Sequence, residues 1–265
     1  MTDITMMDTE TVRAAVREHY ATAATSGSCC GPSSCCTDDA PNTSSGVGYY
    51  SAEELAGLAD EVAGFSLGCG NPIVYADVQP GETVLDLGSG GGLDCFIAAR
   101  LVGPTGHVIG VDMTPAMLER ARNAAERMGF ANVEFREGFI EALPVADNSV
   151  DLIISNCVIN LSTDKDAVFR EVRRVLKPGG RMLVSDLVTA GQLPDAVRRD
   201  IELWAGCIAG ALPEAEYTGK AAAAGLTRVE VLARAGYTED TPEWQGLGGP
   251  NGPIYSVKVR AYKQL

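Results

Sequence analysis

Cysteine is the most distinctive chemical resource of this sequence. The 265 residues include eight cysteines but only two histidines, His19 and His107. Cysteine thiolates are soft ligands, whereas the scarcity of histidine argues against a histidine-rich metal site and a histidine general base. Because the N-terminal residues MTDITMMDTE are acidic and unlike an export signal, we expect the cysteines to be reactive, ligand-binding or buried rather than joined in a disulfide framework.

Three cysteines lie in segments that the fold is expected to bring together. Cys69 lies in SLGCGNP, Cys157 in ISNCVINL directly after a predicted strand, and Cys207 in WAGCIAGAL. Ligands bind beyond the carboxyl ends of parallel strands, so Cys157 is expected at a ligand site that the segments of Cys69 and Cys207 could cover. Cys95, on a predicted helix, is expected to be an ordinary buried core residue.

A glycine-rich loop and an acidic strand end indicate a nucleotide-like cofactor. The stretch DLGSGGG begins at Asp86, where a predicted strand turns into a helix, and its glycines allow backbone to approach a ligand closely. Asp112 ends the next strand, where a carboxylate can accept hydrogen bonds from both hydroxyls of a ribose. Dinucleotide-binding enzymes share both features, so the loop alone leaves the cofactor open.

Regularly alternating elements position these residues. The hydrophobic pattern predicts a first helix at 9–24, then strands at 83–87, 107–112, 132–138, 150–155 and 181–188, with helices at 92–102, 114–129 and 165–176. This alternation predicts an α/β fold with a doubly wound, mostly parallel sheet. Helices at 195–209 and 214–224 and strands at 228–234 and 254–262 are expected to form a small α+β C-terminal cap over the carboxyl edge.

Length and composition indicate the domain organisation and limit the class of substrate. We expect an N-terminal helix and a cysteine-rich flexible loop in residues 1–50, a cofactor-binding domain in residues 51–190 and the cap in residues 191–265. No apolar run is long enough to span a membrane, so a cytoplasmic protein is expected. The net charge of -14, without an evident basic groove, disfavours nucleic acid and favours a small-molecule substrate.

Two further strings separate methyltransferases from dinucleotide enzymes. EGFIEALPVADNSVDLIISN and VLKPGG resemble the later motifs of Rossmann-like class I methyltransferases, a resemblance that covers about residues 83–188. It implies S-adenosylmethionine as cofactor, with Asp86 near its methionine end and Phe139, Ile140 and Glu141 around its adenine. The remaining residues expected to contact the cofactor are Gly88, Ser89, Gly90, Asp112, Met113 and Asn156.

The cysteine motifs carry a narrower resemblance. GCGNP, SNCVINL and the CIAGAL string resemble arsenite S-adenosylmethionine methyltransferases over residues 62–212, and SNCVINL is the most specific of the three. In that family three cysteines bind trivalent arsenic, and their motifs match Cys69, Cys157 and Cys207. The resemblance implies an enzyme of arsenic detoxification that methylates trivalent arsenicals. Glutathione or a thioredoxin-type dithiol is implied as reductant, with thioredoxin as a possible partner.

The N-terminal cysteines depart from the family pattern. Family members often carry one further cysteine before the first arsenic ligand, whereas this chain has two pairs, Cys29-Cys30 and Cys35-Cys36. The surrounding SGSCCGPSSCCTDDAPNTSSG is too small and polar to bury a core, which predicts a mobile loop. Four roles stay open: transfer of arsenic to the core site, a regulatory disulfide, independent metal binding, or no essential role.

The chemistry agrees with this resemblance. Trivalent arsenic is thiophilic, and the lone pair that it keeps beside three thiolates is a nucleophile without a proton, so methyl transfer needs no general base. Two other functions fit the sequence. One is a methyltransferase of a small organic acceptor, such as a quinone precursor, with structural cysteines. The other is a non-enzymatic protein that sequesters or senses soft metals.

Overall fold

A computed structural model of the chain describes residues 8–26, 46–236 and 253–265. Its centre is an eight-stranded sheet in which seven strands follow the order β3-β2-β1-β4-β5-β8-β7, and β6 pairs with β5. The strands are β1 (Thr83–Leu87), β2 (His107–Asp112), β3 (Val133–Glu137), β4 (Val150–Asn156), β5 (Leu176–Thr189), β6 (Leu212–Pro213), β7 (Leu226–Gly236) and β8 (Ile254–Lys263).

Ten helices flank the sheet or cover its carboxyl edge in the part of the chain that the structure describes. They are α1 (Thr9–Ser26), α2 (Ala52–Leu55), α3 (Asp60–Ala63), α4 (Ile73–Ala76), α5 (Leu93–Val102), α6 (Pro115–Met128), α7 (Lys165–Val175), α8 (Asp195–Arg198), α9 (Ile201–Ala205) and α10 (Glu214–Ala223). One face of the sheet packs on α5 and α6, and the other packs on α7 and α10. The expected doubly wound α/β fold is therefore confirmed.

The strand order places a ligand cleft. All pairings among β1 to β6 are parallel. The chain winds outward from β1 through β2 to β3 and then returns to add β4 and β5 on the other side of β1. In such sheets the loops beyond neighbouring strands diverge at this reversal and leave a crevice. The crevice lies beyond Leu87 and Asn156, which end β1 and β4.

The C-terminal strands differ from the expected arrangement. Instead of standing in a separate cap, β8 pairs antiparallel with β5, and β7 pairs antiparallel with β8, so both extend the main sheet. The reason is burial: residues 254–257 of β8 are all buried, which requires sheet and helix around them rather than an exposed cap. The segment that covers the carboxyl edge is therefore the one between β5 and β6.

The prediction of one continuous helix at 195–209 is wrong, because this segment forms the two short helices α8 and α9. Asp200 separates them: its carboxylate oxygen accepts hydrogen bonds from the backbone N–H groups of Glu202 and Leu203 and caps α9. This local cap competes with continuation of the preceding helix. After α9, Cys207 adopts a positive φ of 64°, which ends the helical turn and directs its thiol toward the sheet.

Two expectations stand outside these observations. The division of the chain at residues 50 and 190 stays a prediction. Cys29, Cys30, Cys35 and Cys36 lie outside the described residues. Within those residues, none of the helices combines the length and apolar character needed to cross a bilayer.

Candidate active site

An open cleft lies at the carboxyl ends of β1, β2 and β4. Every residue expected to contact the cofactor lines it. These residues are Asp86, Gly88, Ser89, Gly90, Asp112, Met113, Phe139, Ile140, Glu141 and Asn156. Residues from four separate segments thus meet in one site, as expected for residues that follow neighbouring strands. Their contacts to a cofactor remain a proposal.

The glycine loop and Asp112 form a rigid unit. Gly90 N donates to Asp112 Oδ2 at 2.9 Å, and Thr114 N donates to Oδ1 at 2.8 Å. Burial raises the pKa of Asp112, and these backbone hydrogen bonds oppose the rise because they stabilise the carboxylate. Gly88 has a φ of +69°, and a Cβ there would lie 2.5 Å from the Val158 side chain. Only glycine fits this turn between the loop and the segment after β4.

A second acidic residue, Asp94, faces the cleft beside Asp86. Tyr50 donates its hydroxyl to Asp94 Oδ1 at 2.8 Å, and Asn156 Nδ2 donates to Oδ2 at 3.3 Å. Burial raises the pKa of Asp94 to about 6 against these hydrogen bonds, and it raises the pKa of Asp86 well above the usual range, with Asp94 adding to the rise. Sequence reasoning missed Asp94, although an acidic residue at the start of the helix after the glycine loop was visible.

The cleft residues fit S-adenosylmethionine. Ser89 Oγ and Asn156 Oδ1 are buried and have no hydrogen-bond partner among the described residues, as expected of groups that a polar ligand satisfies. The Asp86 and Asp94 carboxylates suit a ligand that carries a sulfonium and an ammonium group, because opposite charges stabilise buried anions. Asp112 stands at the strand end where a ribose is expected.

Cofactor affinity is expected to depend on pH through Asp94. Its pKa of about 6 means that the carboxylate that attracts the cationic ligand is lost as the pH falls through 6, so the dissociation constant should rise by up to about tenfold per pH unit below that point. The stability of the free protein should instead increase as the pH falls through 6, because the folded state binds a proton at Asp94 more tightly than the unfolded chain does. Calorimetric titration from pH 5 to 8 checks this, with Asp94→Asn as the comparison. An identical pH profile in Asp94→Asn would contradict the role of Asp94.

Helix α1 forms a wall of the cleft that the sequence did not predict. The Arg13 guanidinium lies 4.3 Å from the centre of the Phe139 ring, and its Nη2 lies 3.6 Å from Glu141 Oε2. Ser162 Oγ donates to Glu141 Oε1 at 2.6 Å. The residues predicted to surround adenine are therefore held between α1 and the segment after β4. The amphipathic pattern of α1 indicated that one face of the helix packs against the protein, and Val12 and Val16 on that face are buried. The pattern did not indicate that the helix would lie at the cleft.

The structure brings the three predicted thiols together. Cys69, Cys157 and Cys207 are each at most 4% exposed and pack in one cluster, although they come from distant parts of the chain. Cys69 Sγ, Cys157 Sγ and a carboxylate oxygen of Asp186 all lie within 4.8 Å of one another. Cys207 Sγ donates to the backbone oxygen of Cys157 at 2.8 Å. Cys157 and Cys207 have φ values of 62° and 64°, a strained conformation that clusters at functional sites.

The thiol cluster is electrostatically unusual. Hydrogen bonds with Cys207 and Cys69, followed by burial, raise the pKa of the Cys157 thiol well above its ordinary value. The Tyr20 hydroxyl of α1 lies 3.9 Å from Cys207 Sγ. Lys258 Nζ donates to Ser256 Oγ, which donates to the backbone oxygen of Cys69, and burial lowers the pKa of this lysine. The Cys157 thiol is therefore held in its neutral form within the cluster.

Asp186 is a member of this cluster that sequence reasoning missed. It is fully buried in β5, and burial raises its pKa to about 7. The sequence signal for a functional role of Asp186 was an acidic residue within the apolar string MLVSDLV. Cys95 is fully buried on α5, as expected of a core residue, and its thiol donates to Asp86 Oδ2 at 3.3 Å.

The cleft and the thiol cluster adjoin through the chain itself. Asn156 and Gly68 line the cleft, and each immediately precedes a cysteine of the cluster, Cys157 and Cys69. Tyr20 both lines the cleft and contacts Cys207. The cleft and the thiol cluster are therefore neighbours at Tyr20, Gly68 and Asn156.

Comparisons with known proteins agree with this geometry. The family described as "Methyltransferase domain" matches residues 79–236. An arsenite methyltransferase of Halobacterium salinarum is 46% identical over 97% of this chain and 68% of its own length. An arsenite methyltransferase of Aquipseudomonas alcaligenes is 50% identical over 60% of this chain, which spans about half of that relative, 47%.

One solved structure combines fold and sequence likeness. The crystal structure of an arsenic(III) S-adenosylmethionine methyltransferase from Chlamydomonas reinhardtii has a TM-score of 0.71 and 40% identity, covering 80% of this chain and 73% of that one.

Proposed function

Since the chain belongs to the arsenite methyltransferase family of S-adenosylmethionine-dependent enzymes, we propose that it methylates trivalent arsenic bound by Cys69, Cys157 and Cys207. The observation that carries the proposal is the convergence of three buried thiols beside a cleft suited to S-adenosylmethionine. Soft sulfur ligands without histidine or an exposed carboxylate favour a thiophilic substrate over a hard metal ion.

Binding of arsenite fits a protonated Cys157 thiol. Each thiol replaces one hydroxide of arsenous acid: an As–S bond forms, an As–O bond breaks, and the thiol proton leaves with the hydroxide as water. The resulting complex carries no net charge, which suits a site where all three cysteines are buried. The raised pKa of Cys157 is therefore compatible with binding.

The reaction then depends mainly on alignment. S-adenosylmethionine, when bound, supplies an electrophilic methyl group. The three thiols fix arsenic so that its lone pair points out of the cluster toward the cleft, and no residue has to remove a proton. Holding two reactants in line lowers a barrier by about 7 to 11 kcal/mol. Tyr20, which lines the cleft and contacts Cys207, helps to exclude water from this junction.

Three finer features are part of the proposal. A thiol reductant, glutathione or a thioredoxin-type dithiol, serves as co-substrate, and thioredoxin is the proposed partner. The protein acts in the cytoplasm, because free thiols persist in a reducing compartment. Cys29, Cys30, Cys35 and Cys36 pass arsenite to the buried cluster, which is supported by their spacing in the sequence and by the soft character of their thiols.

An activity comparison tests the proposal against its rivals. The purified chain with S-adenosylmethionine and glutathione is expected to form methylated arsenic and S-adenosylhomocysteine when arsenite is added, and to leave a quinone precursor unmethylated. Methylation of the quinone precursor alone would favour an organic acceptor with structural cysteines. Tight arsenite binding without S-adenosylhomocysteine formation would favour a sequestering or sensing protein.

A further inference from the structure

Asp186 is a buried carboxyl group to which arsenic binding and alignment assign no task. It is fully buried in β5, and one of its oxygens lies within 4.8 Å of the sulfurs of both Cys69 and Cys157. Carboxylates are rarely buried without a partner that offsets their desolvation. Its position beside two proposed arsenic ligands therefore calls for a physical reason.

Neutral donors hold this carboxylate in place. Asn160 Nδ2 and Leu187 N each donate to Asp186 Oδ1 at 2.9 Å, and the Tyr217 hydroxyl donates to Oδ2 at 3.1 Å. Lys165 directs its ammonium group to the backbone oxygens of Asn160 and Ser162. The three donors orient the carboxylate and stabilise its ionised form, and the nearby Lys165 ammonium group lowers the Asp186 pKa without a hydrogen bond to the carboxylate.

The proposed reaction creates a charge that this carboxylate can stabilise. As the arsenic lone pair forms the As–C bond, the C–S bond breaks, and its electron pair remains on the sulfur of the methyl donor. The positive charge thus passes from that sulfur to arsenic, which is neutral before the transfer and cationic after it. An anion fixed beside the arsenic ligands attracts the transition state more strongly than the ground state.

We propose that Asp186 accelerates methyl transfer by stabilising the positive charge that develops on arsenic, an inference that rests on the proposed function. Burial makes the effect strong, because charges interact over short distances with little screening in a water-poor interior. The orientation of the carboxylate is set before the reaction, so no reorganisation is needed as the charge moves.

The test is Asp186→Asn in single-turnover assays at pH 8. Asparagine keeps the size of the side chain and an oxygen for the donors, but it removes the charge. The rate of methyl transfer should fall roughly 10- to 100-fold, with arsenite and cofactor affinities within about threefold of the unmodified values. Asp166→Asn, the same change at a half-exposed residue paired with Lys220, is the matched control and should leave the rate unchanged.

A second variant separates charge from architecture. Tyr217→Phe removes a hydrogen bond to Asp186 and leaves the carboxylate in place. Because this hydrogen bond helps to orient the carboxylate, the proposal predicts a loss of transfer rate of up to about tenfold with arsenite affinity unchanged. A loss above tenfold with the charge intact would show that Asp186 serves to anchor α10, and would overturn the inference. If Asp186→Asn does not fold, Tyr217→Phe still tests the proposed role of Asp186.

Cys157→Ser in the same assay distinguishes failure of the proposed role of Asp186 from failure of the proposed function. An unchanged rate in Asp186→Asn beside an inactive Cys157→Ser overturns the role of Asp186 and leaves the proposed function intact. An unchanged rate in Cys157→Ser overturns the proposed function itself. Loss of arsenite binding in folded Asp186→Asn also overturns the inference, because charge stabilisation predicts a slower transfer with binding preserved.

Discussion

Cys157→Ser and Cys207→Ser are each expected to slow methylation of arsenite by at least about 100-fold, because misplacement of a reacting atom by about 1 Å has an effect of that size. Each change replaces a soft thiol with a hydroxyl that stays protonated and binds arsenic weakly. The two sulfurs lie in one buried cluster beside the cleft, so loss of either leaves arsenic misaligned with the methyl donor.

The effect of Cys69→Ser on the methylation rate should depend on the substrate. Inorganic arsenite has three positions to fill, so its methylation should fall strongly. Monomethylated trivalent arsenic already has one position occupied by carbon and needs only Cys157 and Cys207, so its methylation should be more tolerant. Single-turnover assays of the three variants with both arsenicals measure this difference.

The matched control for these variants is Cys95→Ser. Cys95 is as buried as the three cluster cysteines but lies on α5 outside the cluster, and a serine hydroxyl there can keep the hydrogen bond that its thiol donates to Asp86. It should retain a rate within a few-fold of the unmodified protein, which separates lost chemistry from the general effect of placing a hydroxyl in the core. If Cys157→Ser or Cys207→Ser methylates both arsenicals at the unmodified rate, the thiol site is wrong.

Asp112→Ala is expected to weaken cofactor binding by about 10- to 150-fold while leaving arsenite affinity nearly intact. Each lost hydrogen bond to a charged group contributes about 1.5 to 3 kcal/mol. The carboxylate also fixes Gly90 N and Thr114 N, so its loss loosens the glycine loop in addition to removing the proposed ribose contact. Calorimetric titration with cofactor and with arsenite measures both affinities.

Asp166→Ala is a suitable comparison for Asp112→Ala, because Asp166 lies on α7 in a surface ion pair with Lys220. Exposed pairs of this kind contribute at most about 1 kcal/mol. An Asp112→Ala variant that binds S-adenosylmethionine as tightly as the comparison variant would count against the ribose contact. A parallel loss of arsenite affinity would point to a general disturbance of the fold.

Local pattern was sufficient for the parallel part of the sheet and for part of the cleft, whereas Phe139, Ile140 and Glu141 needed the family resemblance. Strands such as β1 and β4 are short and mostly apolar, and the residues that end them must meet at one edge of a parallel sheet. Gly88, Asp112 and Asn156 could therefore be placed in one site by topology alone. The three cluster cysteines needed the family resemblance, since nothing local specifies where Cys69 and Cys207 approach Cys157.

Features that depend on long-range packing could not be predicted. The pairing of β8 with β5 is set by burial on both faces, which sequence spacing does not reveal. The break before α9 follows from a single capping residue, Asp200. The roles of Arg13 and Asp186 arise from neighbours more than twenty residues away in sequence, so they were visible only once the chain was folded.

The central claim is that Cys69, Cys157 and Cys207 together bind trivalent arsenic beside the methyl donor. A crystal structure of the chain with arsenite and S-adenosylhomocysteine tests it most directly. The account predicts one arsenic atom bonded to the three Sγ atoms, with the homocysteine sulfur in the cleft facing it. Arsenic bound by other residues, with these three sulfurs unliganded, would contradict the account.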